Sequence, residues 1–330
     1  MSAFEGLTIV IPAWNDTAGL ARLIPQISCM RRVERVIIVD DASIEPVSPE
    51  NLGMPELADE PLFLWLRNEN QGGAGHARNK GLELVNTSHV LFFDSDDQIL
   101  PELDLLIEDL RQPGRDSFDF CLFRHVEADR AWRGQASPFG YDQWHWDRAA
   151  ITGEISKLRP DQARQLARIS CYPWNKIYRT DFIKGAALRF TEIPVHNDVE
   201  FHWRSFLAAN SVLATSRLCM AHAIHDGANR LTNRTGRERL QVFVALKAVH
   251  AALLFYRERT ALYAEPIIEF YLLLLRWIEE RLDPDIHDEF RIASKAFLRD
   301  TVSLPLLTLV AYENPVIIAQ LNDYLTELPI

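Results

Sequence analysis

The chain has 330 residues and a formal net charge of −11, with 48% hydrophobic and 25% charged residues. These proportions are close to the average for globular proteins, which excludes a disordered chain or a coiled coil. The acidic balance and the lack of a Lys/Arg cluster argue against a protein that grips a nucleic-acid backbone, so we expect no nucleic-acid partner.

The length predicts one large domain with an appended helical part. The N-terminus lacks the basic region of a signal peptide, and no stretch approaches the roughly 18 uninterrupted apolar residues that a membrane span needs. The cysteines are scattered singly without a C-x-x-C pair, which favours reduced thiols, buried as fillers, in a cytoplasmic protein. They are Cys29, Cys121, Cys171 and Cys219.

Short, nearly continuous apolar runs in the first hundred residues predict strands that are buried on both faces. These runs cover residues 7–12, 33–40, 62–68 and 89–94. Helical periodicity in residues 18–29 and 77–85 separates them, which predicts βαβ units. The fold class is therefore α/β, a mainly parallel sheet flanked by helices.

The pattern is less regular after the fourth strand. Residues 101–111 predict a helix with Pro101 in its first turn, and residues 118–126 alternate as a strand does. We expect a long loop over residues 127–150, a helix over 198–209, and a C-terminal helical extension in which amphipathic segments follow Gly236.

Polar and acidic side chains follow three of the predicted strands directly. In open α/β sheets, ligands bind in the crevice beyond the carboxyl ends of the strands, so we expect these side chains to share one site. They are Asn15 and Asp16, then Asp40 and Asp41, then Asp94, Asp96 and Asp97.

The carboxylates that follow the fourth strand would repel one another unless a cation lies between them. Mg²⁺ and Mn²⁺ prefer such oxygen ligands and leave coordination positions for substrate phosphates, which predicts Mn²⁺ or Mg²⁺ as the cofactor and an anionic diphosphate as the ligand. The alternative is that Asp96 or Asp97 only caps the helix that starts near Pro101.

Four segments, LTIVIPAWND, VIIVDDAS, RNENQGGAGHARNKGLEL and VLFFDSDDQILPE, occur in the order and spacing typical of one known family. They resemble the N-terminal half of family 2 glycosyltransferases, an inverting group with the Rossmann-like GT-A fold. The likeness is strong over residues 5–112 and extends through PWNKIYRTDFIK and HNDVEFHWRSFLAAN to about residue 225. It implies a GT-A nucleotide-sugar-binding catalytic domain over residues 1–228 and a helical C-terminal region over 229–330.

The resemblance also implies roles for individual residues. Asp94-Ser95-Asp96 is similar to the family's DXD motif, in which the last Asp holds the metal and the first contacts the ribose or the metal. His225, and with less support His222, lies where relatives carry a diphosphate or metal contact. The nucleotide is expected to be contacted by Pro12, Ala13, Trp14, Asn15, Asp40, Asp41 and Arg78.

The catalytic base that the resemblance implies is Asp198, at the start of a predicted helix. Asn197 stands where the family usually has Glu, and Glu200 is the fallback for the base. The alternative is an ordinary helix start in which Asn197 is the cap.

Several supporting residues have two interpretations. Trp144, His145 and Trp146 either stack on an acceptor sugar or anchor their loop. Asp41 either contacts the nucleotide or forms an Asx turn with Ser43, and the glycines at 72, 73 and 75 either serve the ligand or only shape a loop. Phe201 and Trp203 are expected to pack in the core.

The sequence therefore predicts a metal-dependent inverting hexosyltransferase that moves a sugar from a nucleotide diphosphate, UDP by preference, to a hydroxyl. The acceptor is expected to be a saccharide or lipid-linked molecule, in surface polysaccharide or glycoconjugate synthesis. The C-terminal helices are candidates for peripheral contact with the inner face of the membrane or for homo-oligomer formation.

Three rival functions remain open. A sugar-phosphate nucleotidyltransferase would need a basic, glycine-rich loop after the first strand, where PAWND stands instead. A nicotinamide-dependent enzyme would need a third glycine where Arg78 stands. A non-catalytic nucleotide-sugar-binding or scaffold protein would keep the acids without turnover.

Overall fold

The first four predicted strands lie side by side in a larger sheet. The computed structural model of the chain describes residues 4–112, 117–128, 140–223 and 234–327. In these ranges one sheet of nine strands has the order β3-β2-β1-β4-β8-β6-β9-β5, and β7 pairs with β9. The strands are β1 (Leu7–Ala13), β2 (Val33–Asp40), β3 (Phe63–Arg67), β4 (His89–Phe92), β5 (Gln98–Ile99), β6 (Phe120–Glu127), β7 (Ser156–Lys157), β8 (Lys176–Arg179) and β9 (Val212–His222).

The first four strands run parallel, with β1 between β2 and β4. β8 is antiparallel to both β4 and β6, so β6 and its parallel neighbour β9 run in the same direction as β1. The short strands β5 and β7 lie antiparallel to β9. The expected mainly parallel sheet is confirmed.

Among the described residues, seven helices accompany the sheet: α1 (Thr17–Ser28), α2 (Gly73–Glu83), α3 (Glu102–Leu110), α4 (Gly140–Ala149), α5 (Pro160–Leu166), α6 (Thr180–Gly185) and α7 (Val199–Ala208). Five follow in the C-terminal part: α8 (Val242–Phe255), α9 (Arg257–Glu279), α10 (His287–Thr301), α11 (Leu304–Glu313) and α12 (Pro315–Thr326). Short 3₁₀ helices cover Pro55–Ala58, Arg237–Gln241 and Pro284–Ile286.

In the described part of the chain, the sheet separates two large hydrophobic cores. Alternate residues of β2 point to opposite faces, so that Val36 and Ile38 pack in one core while Ile37 and Val39 pack in the other. This explains why residues 36–39 are apolar without alternation, because neither face of this part of the strand reaches water.

The C-terminal helices pack on the second of these cores rather than forming a separate one. Residues of α7 and α9 such as Trp203 and Ile268 belong to the same cluster of buried side chains. Glu265 of α9 also accepts hydrogen bonds from Arg164 at 2.8 Å and from Arg168. Within the described ranges, no helix combines the length and the apolar character needed to cross a bilayer.

Two predictions about local structure are wrong. The expected loop over residues 127–150 contains the helix α4, which buries His145 and Trp146. Residues 129–139 lie outside the described ranges. Cys29 is exposed and is not a core filler, whereas Cys121 and Cys219 are buried.

Candidate active site

The loops that follow β1 and β2 are tied to each other by reciprocal hydrogen bonds. The backbone N–H of Asn15 donates to the Ser43 hydroxyl at 2.8 Å, and the backbone N–H of Ile44 donates to the Asn15 side chain at 2.8 Å. Asn15 has a φ of +51°, a conformation that Asn tolerates better than most residues. The loop over residues 12–15, termed the PAWN loop, therefore has a fixed shape, with Trp14 and Asn15 facing solvent at least in part.

Asp40, at the end of β2, is fully buried and fixes the loop that follows it. Its carboxylate accepts hydrogen bonds from the backbone N–H groups of Ser43 at 2.9 Å and Val47 at 3.1 Å, and from the guanidinium of Arg67. Burial acts to raise the pKa of Asp40, but these hydrogen bonds and the charge of Arg67 together lower the pKa below its usual value. The turn with Ser43 therefore belongs to Asp40, not to Asp41.

Asp41 connects β2 to the glycine-rich segment. Its Oδ1 accepts from the Asn68 side chain at 2.7 Å and from the Gly72 N–H at 2.9 Å, and its Oδ2 accepts from the Gly73 N–H at 2.7 Å. Gly73 has a φ of +86°, which strains any residue with a Cβ. Gly72 and Gly73 thus shape the start of α2, and one carboxylate holds them.

Asp94 and Ser95, which follow β4, make hydrogen bonds to different parts of the chain. Asp94 accepts a hydrogen bond from Arg78 at 2.6 Å. The Ser95 hydroxyl donates to Asp16 at 2.6 Å, and Asp16 in turn caps α1 by accepting from the Gly19 N–H. Ser95, a predicted nucleotide contact, therefore faces α1.

Asp97 forms a buried pair with His222 that the sequence did not predict. Its Oδ1 accepts from His222 Nδ1 at 2.8 Å and from the Ala223 N–H at 2.9 Å. The cap interpretation of Asp97 is wrong, since α3 begins without a side-chain cap. The Oδ2 atom of Asp97 is buried without a hydrogen-bond partner in the described part of the chain.

The carboxylates after β4 create a strongly negative site around this pair. Burial acts to lower the pKa of His222, but the charges of Asp97, Asp96 and Asp94 raise it above its usual value. Burial, opposed by His222, raises the pKa of Asp97. His225, the other predicted metal contact, lies outside the described residues.

Arg78 joins the acids of β4 to the segment that carries the predicted base. Its Nη2 donates to Asp94 and its Nη1 donates to the Asn197 side chain at 2.8 Å. The guanidinium is buried and lies 5.3 Å from the centroid of the Phe190 ring. Two loops that are about 100 residues apart are thus brought together by one side chain.

Asp198 precedes α7, with its side chain making no capping hydrogen bond. Asn197 does not cap the helix either, because its side-chain oxygen accepts from Arg78. Burial raises the pKa of Asp198 to about 6, although the charge of Arg78 acts in the opposite direction. The fallback residue Glu200 accepts hydrogen bonds from Thr191 at 2.6 Å and Arg204 at 2.8 Å, so both its oxygens are engaged.

A buried lysine lies in the same electrostatic environment. Lys176 of β8 is fully buried and donates to the Tyr172 carbonyl at 2.8 Å and to the Asn175 side chain at 2.6 Å. Burial lowers its pKa to about 8, although the electrostatic effects of Cys171, Asp198 and Asp142 act to raise the pKa. A lysine inside the apolar strand pattern PWNKIY is the signal that could have identified it.

The predicted aromatic contacts with an acceptor separate in the structure. His145 and Trp146 are buried, which supports the anchoring interpretation for both. Trp144 is 52% exposed, with the Arg148 guanidinium 4.7 Å from its ring centroid. Phe201 and Trp203 are core residues, as expected.

The chain is similar to known glycosyltransferases. Residues 8–183 match the family model described as Glycosyl transferase family 2. EpsH of Bacillus subtilis is 24% identical over 256 residues, which are 72% of this chain and 65% of EpsH. The pre-mycofactocin glycosyltransferase of Mycobacterium tuberculosis is 37% identical over 90 residues, or 27% of this chain and 17% of the relative. The chain thus spans less than two thirds of the length of these curated relatives.

The same architecture occurs in a solved structure. TarS residues 1–349 of S. aureus, in complex with UDP-GlcNAc, superpose with a TM-score of 0.74 at 17% identity, covering 97% of this chain and 89% of that one. At this level of identity the likeness shows a shared fold.

Proposed function

The chain belongs to glycosyl transferase family 2, and from this membership we propose that it moves a sugar from a UDP-sugar donor to an acceptor hydroxyl, with inversion at the anomeric carbon. TarS, which shares the fold, has been solved with UDP-GlcNAc and with UDP, and this supports a UDP-linked donor.

The observation that carries this proposal is the bridge that Arg78 makes between Asp94 and Asn197. It brings the DXD-like segment after β4 next to Asp198, the residue that follows Asn197. An inverting transfer needs this proximity, because the base must face the anomeric carbon from the side opposite to the leaving diphosphate.

The nucleotide would lie against the carboxyl ends of β1 and β2. Trp14 would contact the base, and the PAWN loop would form the wall beside it. Asp40 fixes the loop after β2, to which this wall is hydrogen-bonded through Asn15. Asp41 holds the glycine-rich segment, and a carboxylate oxygen has two lone pairs, so Asp41 Oδ2 can accept from a ligand in addition to the Gly73 N–H.

The acids after β4 fit a divalent cation, although no three metal-binding side chains of the described residues converge as a ready-made site. Mg²⁺ and Mn²⁺ are often held by one or two carboxylates, with substrate phosphates completing the shell. We assign Asp96 and Asp94 as the residues that would hold the ion. When bound, the ion would offset the charge that develops on the departing diphosphate.

Asp198 would act as the general base. The acceptor oxygen forms a bond to the anomeric carbon, the bond from that carbon to the diphosphate oxygen breaks, and the hydroxyl proton passes to the Asp198 carboxylate. A pKa of about 6 suits this role, because the group is mostly ionised at neutral pH and is more basic than an ordinary aspartate.

A thermal-shift panel tests the proposed donor. UDP-sugars, GDP-sugars and free UDP would each be added with and without Mn²⁺, because a ligand that binds only the folded state raises its apparent stability. We expect a UDP compound to raise the Tm, and more so with Mn²⁺. The proposal fails if no nucleoside diphosphate shifts the Tm in either condition.

A further inference from the structure

The segment that presents Asp198 begins with a residue in an unfavourable backbone conformation. His196 has a φ of +64°, in the left-handed region that residues other than Gly seldom adopt. Such a conformation persists only when surrounding contacts hold it. The contacts that hold His196 come from the C-terminal part of the chain.

The first contact is a hydrogen bond with a buried arginine. Arg239, in the 3₁₀ helix before α8, places its Nη1 3.0 Å from His196 Nε2. Since a guanidinium can only donate, the imidazole nitrogen must accept, which requires a neutral ring. Burial, with the nearby charge of Arg239, lowers the pKa of His196 to about 3, so the ring stays neutral.

The second contact is with an aromatic side chain of α9. The Trp277 ring meets the His196 ring edge-on at a centroid distance of 5.9 Å, and the Arg239 guanidinium lies 4.9 Å from the Trp277 centroid. Arg239 Nε also donates to the Arg234 carbonyl at 2.6 Å. The three side chains of His196, Arg239 and Trp277 therefore form one contact group, which we term the C-terminal clamp.

We propose that the C-terminal clamp positions the catalytic base, so that the helical region is a working part of the active site. His196, Arg239 and Trp277 are then positioning residues, and this inference rests on the proposed role of Asp198. The backbone carries the effect, because the Val199 N–H donates to the His196 carbonyl at 3.3 Å and the Thr191 N–H donates to the Asn197 carbonyl at 3.1 Å. Relaxation of His196 to a negative φ would rotate the peptides on both sides of Asn197.

The chain offers a matched control at the other end of α7. Arg259 of α9 donates to the Ala209 carbonyl at 3.0 Å and to the Asn210 side chain at 2.9 Å. Arg259→Gln thus removes a guanidinium contact between the C-terminal helices and α7, as Arg239→Gln removes one with the residue two places before Asp198. The control leaves the Asp198 segment untouched.

Hydrogen–deuterium exchange of the segment over residues 191–201 tests the clamp without requiring turnover. We expect faster exchange in Arg239→Gln and in Trp277→Ala, and the wild-type rate in Arg259→Gln. Trp277 is 37% exposed, so its truncation provides a variant that folds even if the buried arginine cannot be replaced. Wild-type exchange in Trp277→Ala overturns the inference, whatever the result for Arg239→Gln.

Turnover tests the link to catalysis, with release of UDP from UDP-N-acetylglucosamine and Mn²⁺ as the assay. His196→Ala should lower kcat about 10- to 100-fold while UDP binding is unchanged, as expected for a misplaced base. In His196→Gln the residue must adopt the same left-handed backbone conformation, but its amide oxygen can accept from Arg239. This variant should therefore recover part of the kcat that His196→Ala loses.

The outcomes separate the two proposals. If wild type turns over and Asp198→Asn does not, but His196→Ala matches wild type, the clamp has no catalytic role and the inference is overturned. If the wild type releases no UDP from any UDP-sugar, the proposed function fails instead, and the exchange rates still decide whether the clamp holds the segment.

Discussion

The side-chain oxygen of Asn197 accepts a hydrogen bond from Arg78 at 2.8 Å. The sequence resemblance implies that Asn197 replaces a usual Glu, and its neutral amide accepts from one arm of the guanidinium while the other arm is paired with Asp94. A glutamate would add a negative charge beside Asp198. The asparagine therefore keeps the bridge without adding a charge next to Asp198, the proposed base.

Replacing Arg78 by Lys should lower both stability and turnover. A lysine keeps the charge but has no planar fork, so it cannot bind Asp94 and Asn197 together. We expect a loss of about 1–3 kcal/mol in the free energy of unfolding, because a buried acceptor loses its partner. Chemical denaturation and UDP release measure the two effects.

The control for this variant is Arg189→Lys, at an arginine with 49% side-chain exposure that pairs with Glu83. An exposed ion pair contributes about 0–1 kcal/mol, so this change should alter neither quantity noticeably. Equal losses in the two variants would show that Arg78 has no special bridging role.

The pKa of Asp198 predicts how stability depends on pH. The pKa is about 6 in the folded protein and 3.8 as its ordinary value, so the folded state binds more protons between these values and loses stability as pH rises through this window. The destabilisation is complete only well above pH 6, where it amounts to about 3 kcal/mol at 1.36 kcal/mol per pKa unit.

Asp198→Asn should therefore be more stable than wild type at pH 8, and this advantage should shrink as pH falls toward 4. Denaturant midpoints of both proteins at several pH values measure it. A stability difference that is the same at pH 4 and pH 8 would contradict the raised pKa.

The Asp97–His222 pair should contribute more to stability than an exposed pair of the same kind. Removing one partner of a buried pair costs about 3–5 kcal/mol, because the other is left without compensation. We expect His222→Ala to approach this loss, as the Asp97 carboxylate already has one oxygen without a partner in the described residues.

His76 and Glu192 provide the comparison, at 2.9 Å with 40% and 50% side-chain exposure. His76→Ala should cost no more than about 1 kcal/mol. Equal free energies of unfolding for the two alanine variants would mean that burial does not strengthen the Asp97–His222 pair.

Gly75→Ala should separate α2 from the segment that carries Asp198, the proposed base. A Cβ at this position would lie 2.5 Å from the Thr191 carbonyl oxygen and 3.0 Å from the Asn197 Cβ, so one backbone must move. We expect a lower Tm and slower UDP release. Gly185→Ala, where a Cβ would meet nothing within 4 Å, is the control and should retain both.

Much of the fold follows from local pattern in the sequence. The first four strands were predicted to within two residues at each end, since a strand that is buried on both faces gives a nearly continuous apolar run. The strand predicted at 33–40, for example, is β2 (Val33–Asp40). The GT-A fold class and the glycosyltransferase family, predicted from four motifs, are confirmed.

The interactions that complete the site depend on long-range packing, and the sequence could not show them. Asp97 and His222 are 125 residues apart, and Arg239 reaches His196 from a different part of the chain. The helix α4 was missed because its exposed and buried faces give little amphipathic contrast. The sequence identified the acids at the strand ends but not which of them hold loops, as Asp40 and Asp41 do.

The most direct test of the account measures donor binding and turnover in Asp198→Asn. Calorimetry with UDP and Mn²⁺ should give the same Kd as for wild type, while UDP release from the donor should fall about 10²–10⁴-fold, the usual contribution of a general base. Turnover at the wild-type rate in this variant would contradict the assignment of Asp198 and, with it, the proposed chemistry of the site.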